Sequence, residues 1–60
     1  MMTMFRGYQG DTGLVVAEDG TTIQVPGELI TAAGFAALRP GQRLVLVLNE
    51  LGDPESVRVP

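Results

Sequence analysis

The chain of 60 residues contains no cysteine, histidine, lysine or tryptophan, and these absences exclude several kinds of site. Without cysteine there is no disulfide and no thiolate metal site, and without histidine the commonest metal ligand and general base is missing. Ser56 is the only serine, so no nucleophile has an activating base beside it in a usual arrangement. We therefore expect a protein that is not an enzyme and that holds no metal and no cofactor.

Long apolar runs are also lacking. No stretch approaches the roughly 18 apolar residues of a membrane span. The start, MMTMFRGY, has neither the basic region nor the apolar region of a secretory leader. These features predict a cytoplasmic protein with no membrane partner. The 45% hydrophobic content suits one small globular domain covering residues 1–60.

Positive charge is scarce, because four arginines stand against seven carboxylates and the formal net charge is −3. Proteins that clamp phosphate backbones usually have a basic surface, so this balance argues against strong nucleic-acid binding. The carboxylates within residues 18–19 and 50–55 do not have the spacing of a calcium loop. We interpret them as solvated turn residues.

Turn signals divide the chain into five short β-rich runs. The first lies in MTMFRGY, and the next two, LVVA and TTIQV, are joined at Asp19-Gly20, a dipeptide typical of tight hairpins. Pro26-Gly27 ends the third strand, and residues 28–33 of the long connection that follows can form one helical turn. QRLVLVLN is the longest strand, and SVRV is a short last strand with Val57 and Val59 on one face.

The fourth strand is apolar on both faces. Side chains alternate along a strand, so Leu44, Leu46 and Leu48 are predicted to point into the core while Val45 and Val47 point outward. Val45 and Val47 would be exposed to solvent unless another surface covers them. This strand therefore indicates a surface for a partner.

Five strands with one long connection after the third predict an all-β fold, a small five-stranded barrel of the OB type with Greek-key topology. Closure of the barrel would remove the sheet edges, which suits a chain rich in β-branched residues. An SH3-like barrel is the alternative that the same pattern allows.

Residues 34–59 resemble the C-terminal half of a bacterial cold-shock domain. In that family Gly-Phe, a Leu three residues on, and Gly-Gln before an apolar strand recur at the spacing found here for Gly34, Phe35, Leu38, Gly41 and Gln42. The run TGLVVAEDGTTIQVPGELI falls into the same register, so the resemblance covers residues 13–60 without a gap. It implies an OB barrel that binds single-stranded DNA or RNA by stacking bases on exposed rings of its first three strands.

Most of the ring positions of that family are not aromatic in this chain. They are occupied by Thr12, Leu14, Gln24, Pro26 and Gly27. Because a stacked base contributes about 1–3 kcal/mol, the loss of several platforms should weaken binding by orders of magnitude.

Two rings remain at family positions. Phe5 aligns with a tryptophan of the first strand, and Phe35 aligns with a loop phenylalanine that also stacks bases. A slip of one residue in MMTMFRG would instead put Met4 at the tryptophan position and move Phe5 elsewhere. For both rings, ordinary packing at the rim of the barrel is the alternative interpretation.

Two functions follow from these residues. The first is weak binding of single-stranded DNA or RNA with little sequence preference, through Phe5 and Phe35 with help from Tyr8, Arg6 and Arg39. The second is an interaction module that has lost nucleic-acid binding, in which the contact surface for another protein or for a second copy, as a homodimer, is formed by Val45, Val47 and Leu14. In cold-shock domains the outward positions of the fourth strand are commonly charged, so the side chains of this chain favour the second function. The resemblance to a family that binds nucleic acid nevertheless places the first function ahead, with the second as its alternative.

Overall fold

A computed structural model of the chain describes residues 1–35 and 37–60. It contains five strands and one short helix, in the order β1 (Met2–Gln9), β2 (Thr12–Ala17), β3 (Thr22–Pro26), α1 (Gly27–Ala32), β4 (Arg43–Leu48) and β5 (Pro54–Arg58). The strands form one sheet in the order β3-β2-β1-β4-β5, and every neighbouring pair is antiparallel. The mostly β fold with five strands and a long connection after the third is confirmed. The sheet is not closed, because β3 and β5 are its two edges.

The turn of the β2–β3 hairpin is formed at the residues that predicted it. The amide of Gly20 donates to the carbonyl of Ala17, and the amide of Ala17 donates to the carbonyl of Thr21, both at 2.9 Å. Gly20 has φ +90°, a conformation that favours glycine. Asp19 Oδ1 accepts a hydrogen bond from the amide of Thr21 at 2.9 Å, which fixes the turn from within.

One face of the sheet forms the core. Each strand contributes alternate residues, and α1 adds one, so that the fully buried apolar side chains are Phe5, Val15, Val25, Ile30, Leu44, Leu46 and Val57. The inward direction predicted for the leucines of β4 is confirmed, since Leu48 also packs against this cluster. Val57 is buried, whereas Val59 lies beyond the end of β5 and is exposed, so these two valines do not share a face.

The central strand, β1, is bent at its middle. Its register against β2 shifts between Phe5 and Gly7, which leaves Arg6 as the additional residue of a β-bulge. Before the bulge, residues 2–4 also pair with β4. The buried hydroxyl of Thr3 donates to the carbonyl of Leu44 at 3.0 Å, which ties the start of β1 to β4.

In the described part of the chain, no helix has the length and apolar character needed to cross a membrane. The only helix there is α1, with six residues.

Candidate interaction face

The surface of the sheet opposite the core is here called the outer face. Alternation along the strands and the pairing register place its residues side by side. Val16 of β2 lies opposite Met4 of β1, and Met4 lies opposite Arg43 of β4. In the adjacent row, Met2 of β1 lies opposite Val45 of β4. Two adjacent rows in the middle of the sheet therefore each contain one directly opposed pair of apolar side chains.

The apolar surface extends two residues further along both flanking strands. Leu14 precedes Val16 on the same side of β2, and Val47 follows Val45 on the same side of β4. Leu14 lies opposite Gly7, which has no side chain to cover it. The aliphatic members of the outer face are Met2, Met4, Leu14, Val16, Val45 and Val47.

A shallow cleft of about 290 Å³ opens on this face. Its walls include Met2, Met4 and Val16 together with the side chains of Arg6 and Arg43. Met4 is 43% exposed, although it occupies the central strand of the sheet. The other five aliphatic residues are half-buried.

Three of the four arginines border the aliphatic surface. Arg6 projects from the bulge into the cleft, and Arg43 stands beside Met4. Arg58 of β5 lies opposite Val45 at the other side of the face. Glu18 at the end of the β2–β3 hairpin is the one carboxylate that lines the cleft. This part of the surface is therefore basic, in a chain whose net charge is −3.

The expected role of Phe5 in base stacking requires correction. Its side chain is 1% exposed and lies in the core, because the alternation of β1 turns Thr3 and Phe5 inward and Met4 outward. A buried ring offers no free surface to a base. On this part of β1 the exposed apolar side chain is that of Met4, which is 43% exposed.

The other residues predicted to bind nucleic acid are not gathered on one surface. Phe35 is half-buried and packs against the core, and Arg39 is exposed in the connection before β4. Tyr8 is 52% exposed, and its ring meets that of Phe5 edge to face with centroids 5.1 Å apart. Because Tyr8 follows the bulge and pairs with Gly13, it lies on the core side of the sheet and not on the outer face.

The residues predicted for protein interaction are brought onto one surface. Val45, Val47 and Leu14 all belong to the outer face, where β1 bridges β4 to β2. Sequence reasoning missed the methionines and Val16 that connect them. Their signal was present as alternate apolar positions in MTM and LVV, but those runs are apolar on both sides, so the pattern alone does not identify the outward set.

The ionisable groups of the described residues include one carboxylate with a shifted pKa. No group of three or more carboxylates among them is arranged to hold a metal ion. The pKa of Asp19 is lowered by the hydrogen bonds that its carboxylate accepts from Thr21, chiefly from the backbone amide. This effect belongs to the structure of the hairpin turn.

No family model matches the chain, and no curated protein or solved structure is significantly similar to it. The function is therefore argued from the geometry of the chain itself.

Proposed function

We propose that this chain is a small OB-type barrel that serves as a protein-interaction module, with the outer face as its contact surface. The observation that carries the proposal is the set of six aliphatic side chains that β2, β1 and β4 place on the outer face. It lies on the side of the sheet that α1 does not cover, since the helix packs Ile30 into the core on the opposite side. Exposed apolar side chains that are contiguous mark interaction sites more often than scattered ones do.

The barrel is supported by the order of the strands and by the position of the edges. The two edge strands, β3 and β5, lie close to each other, and α1 touches both of them. A sheet of five antiparallel strands that curls until its edges meet, with a helix across one end, has the arrangement of an OB barrel. In such a barrel the outer surface of the first three strands is a common place for ligands.

A protein partner suits this surface better than a nucleic acid does. Base recognition without sequence preference depends on aromatic platforms, and none of the described residues on the outer face is aromatic. Covering aliphatic side chains with a partner stabilises the complex. Each 100 Å² of apolar surface removed from water contributes roughly 2.5 kcal/mol, before the cost of association is subtracted. Six such residues can therefore anchor a small protein contact.

Weak binding of single-stranded DNA or RNA is the second candidate function. It is favoured by the three arginines that border the outer face. In this case the salt dependence should be shallow, because few cations are available to displace counterions.

Paired substitutions on β4 test the proposal. Val45→Glu with Val47→Glu should leave the chain folded and abolish its association with partner proteins or with a second copy, measured by light scattering and by quantitative capture from the native lysate. Leu51→Glu is the matched control, because Leu51 is 86% exposed in the β4–β5 loop. Equal capture by the wild-type chain and the double variant would contradict the proposal. Association abolished in the double variant alone would support it.

A further inference from the structure

We infer that the partner presents an acidic, aliphatic segment to the outer face, and this inference rests on the proposed function. Positive charge is concentrated at the outer face. Three of the four arginines border it, and Glu18 is the one carboxylate that lines its cleft. A partner surface that complements the outer face is therefore negatively charged.

The arginines of the outer face lie next to aliphatic side chains. Arg43 stands beside Met4 in one row of the sheet, and Arg58 stands beside Val45 in the next row. Arg6 lines the opposite part of the cleft. Each cation is thus a direct neighbour of an aliphatic side chain, so a segment with acidic residues next to Leu, Ile or Val can satisfy both at once.

The outer face of a second copy of the chain does not supply the acidic groups that this partner needs. Two outer faces packed against each other around a two-fold axis would bring six arginines together, against only the two copies of Glu18 that line the clefts, which repels. The partner is accordingly a different surface, and a short amphipathic acidic peptide contains all of the required groups.

A peptide selection tests the chemistry of the partner directly. The probe is a display library of random 12-residue peptides, panned against the intact chain and counter-selected against a variant with Arg43→Gln and Arg58→Gln. Enriched sequences should be rich in Asp or Glu adjacent to Leu, Ile, Val or Met. Enrichment of basic or uncharged sequences, or no enrichment over the variant, would overturn the inference.

Titration of one enriched peptide then measures the contribution of charge. Arg43→Gln with Arg58→Gln should weaken binding by about five- to tenfold at low salt, and moderate salt should reduce that difference. Arg39→Gln is the matched control and should change binding by less than about twofold, because Arg39 does not line the cleft. Equal losses in both variants would overturn the inference.

Two further results separate this inference from the proposed function. If the Val45 and Val47 substitutions abolish capture of a protein but no acidic peptide is selected, only the chemistry of the partner is wrong. If those substitutions have no effect on capture, the outer face is not the contact surface and the proposed function is wrong. Preferential binding of oligo-dT, reduced by the Arg43 and Arg58 substitutions, would replace the acidic peptide with a nucleic acid as the ligand.

Discussion

Gly13 lies where the sheet and the helix meet, and its lack of a side chain allows α1 to pack. A Cβ at this position would lie 2.5 Å from Ile30 Cδ1 and 3.5 Å from the ring of Phe5. Both of those side chains are fully buried, so neither can move aside without disturbing the core. The glycine thus fixes how closely the helix can approach the inner surface of β2.

Substitution of this glycine should destabilise the fold by overpacking. We expect Gly13→Ala to lower the free energy of unfolding by about 1–3 kcal/mol, measured by urea denaturation. Ser56→Ala is the control, since Ser56 is exposed on β5 and should change stability by less than about 0.5 kcal/mol. Equal stability of the Gly13 variant and the wild-type chain would show that the helix does not pack as described.

Asp19 provides a pH-dependent test of the hairpin. Its lowered pKa means that the folded chain favours the ionised carboxylate. The resulting stabilisation of the fold is fully present at pH values above the pKa of Asp19 in the unfolded chain. It is lost as the pH falls through the pKa of Asp19 in the folded chain. We expect an NMR titration to give Asp19 a lower midpoint than the same aspartate in an unstructured peptide, and the amide of Thr21 should titrate with it. Coincident midpoints for protein and peptide would rule out the turn hydrogen bond.

At the scale of elements, the turns were easier to predict from sequence than the direction of the side chains. Gly20 has a positive φ in the turn between β2 and β3, and Pro26 ends β3 where α1 begins. The first strand was harder, since Met4 and Phe5 are both apolar and either could face the core. The bulge at Arg6 and the pairing of residues 2–4 with β4 decide the matter, and both depend on contacts with distant parts of the chain.

The two faces of β4 should respond differently to substitution. Leu46 is fully buried, so Leu46→Ala should cost about 2–5 kcal/mol or abolish folding altogether. Val47 lies on the outer face, and Val47→Thr should cost about 1 kcal/mol or less in the isolated chain. Thermal unfolding followed by circular dichroism distinguishes them. A larger loss at Val47 than at Leu46 would mean that the assignment of the two faces is reversed.

At the scale of the whole molecule, a chain of this size divides its aliphatic residues between a core and a surface. The molecule measures 27 × 23 × 21 Å, and one face of its single sheet, closed over by a helix of six residues, forms the core. Residues such as Met4 and Val45 do not contribute to that core, although core packing is where a small chain gains its stability. Their placement on the outer face is explained if they contact a partner.

The most direct test of the outer face as the contact surface is photo-crosslinking from Met4. The residue is replaced by p-benzoylphenylalanine, the chain is irradiated in its native lysate, and the adducts are identified by mass spectrometry; Leu51 receives the same replacement as a control. Because Leu51 is 86% exposed and Met4 only 43%, random encounters would favour the control. We expect specific protein adducts from Met4, and we expect that Leu51 forms none of these adducts. The same adducts from both positions, or adducts to nucleic acid alone, would contradict this expectation.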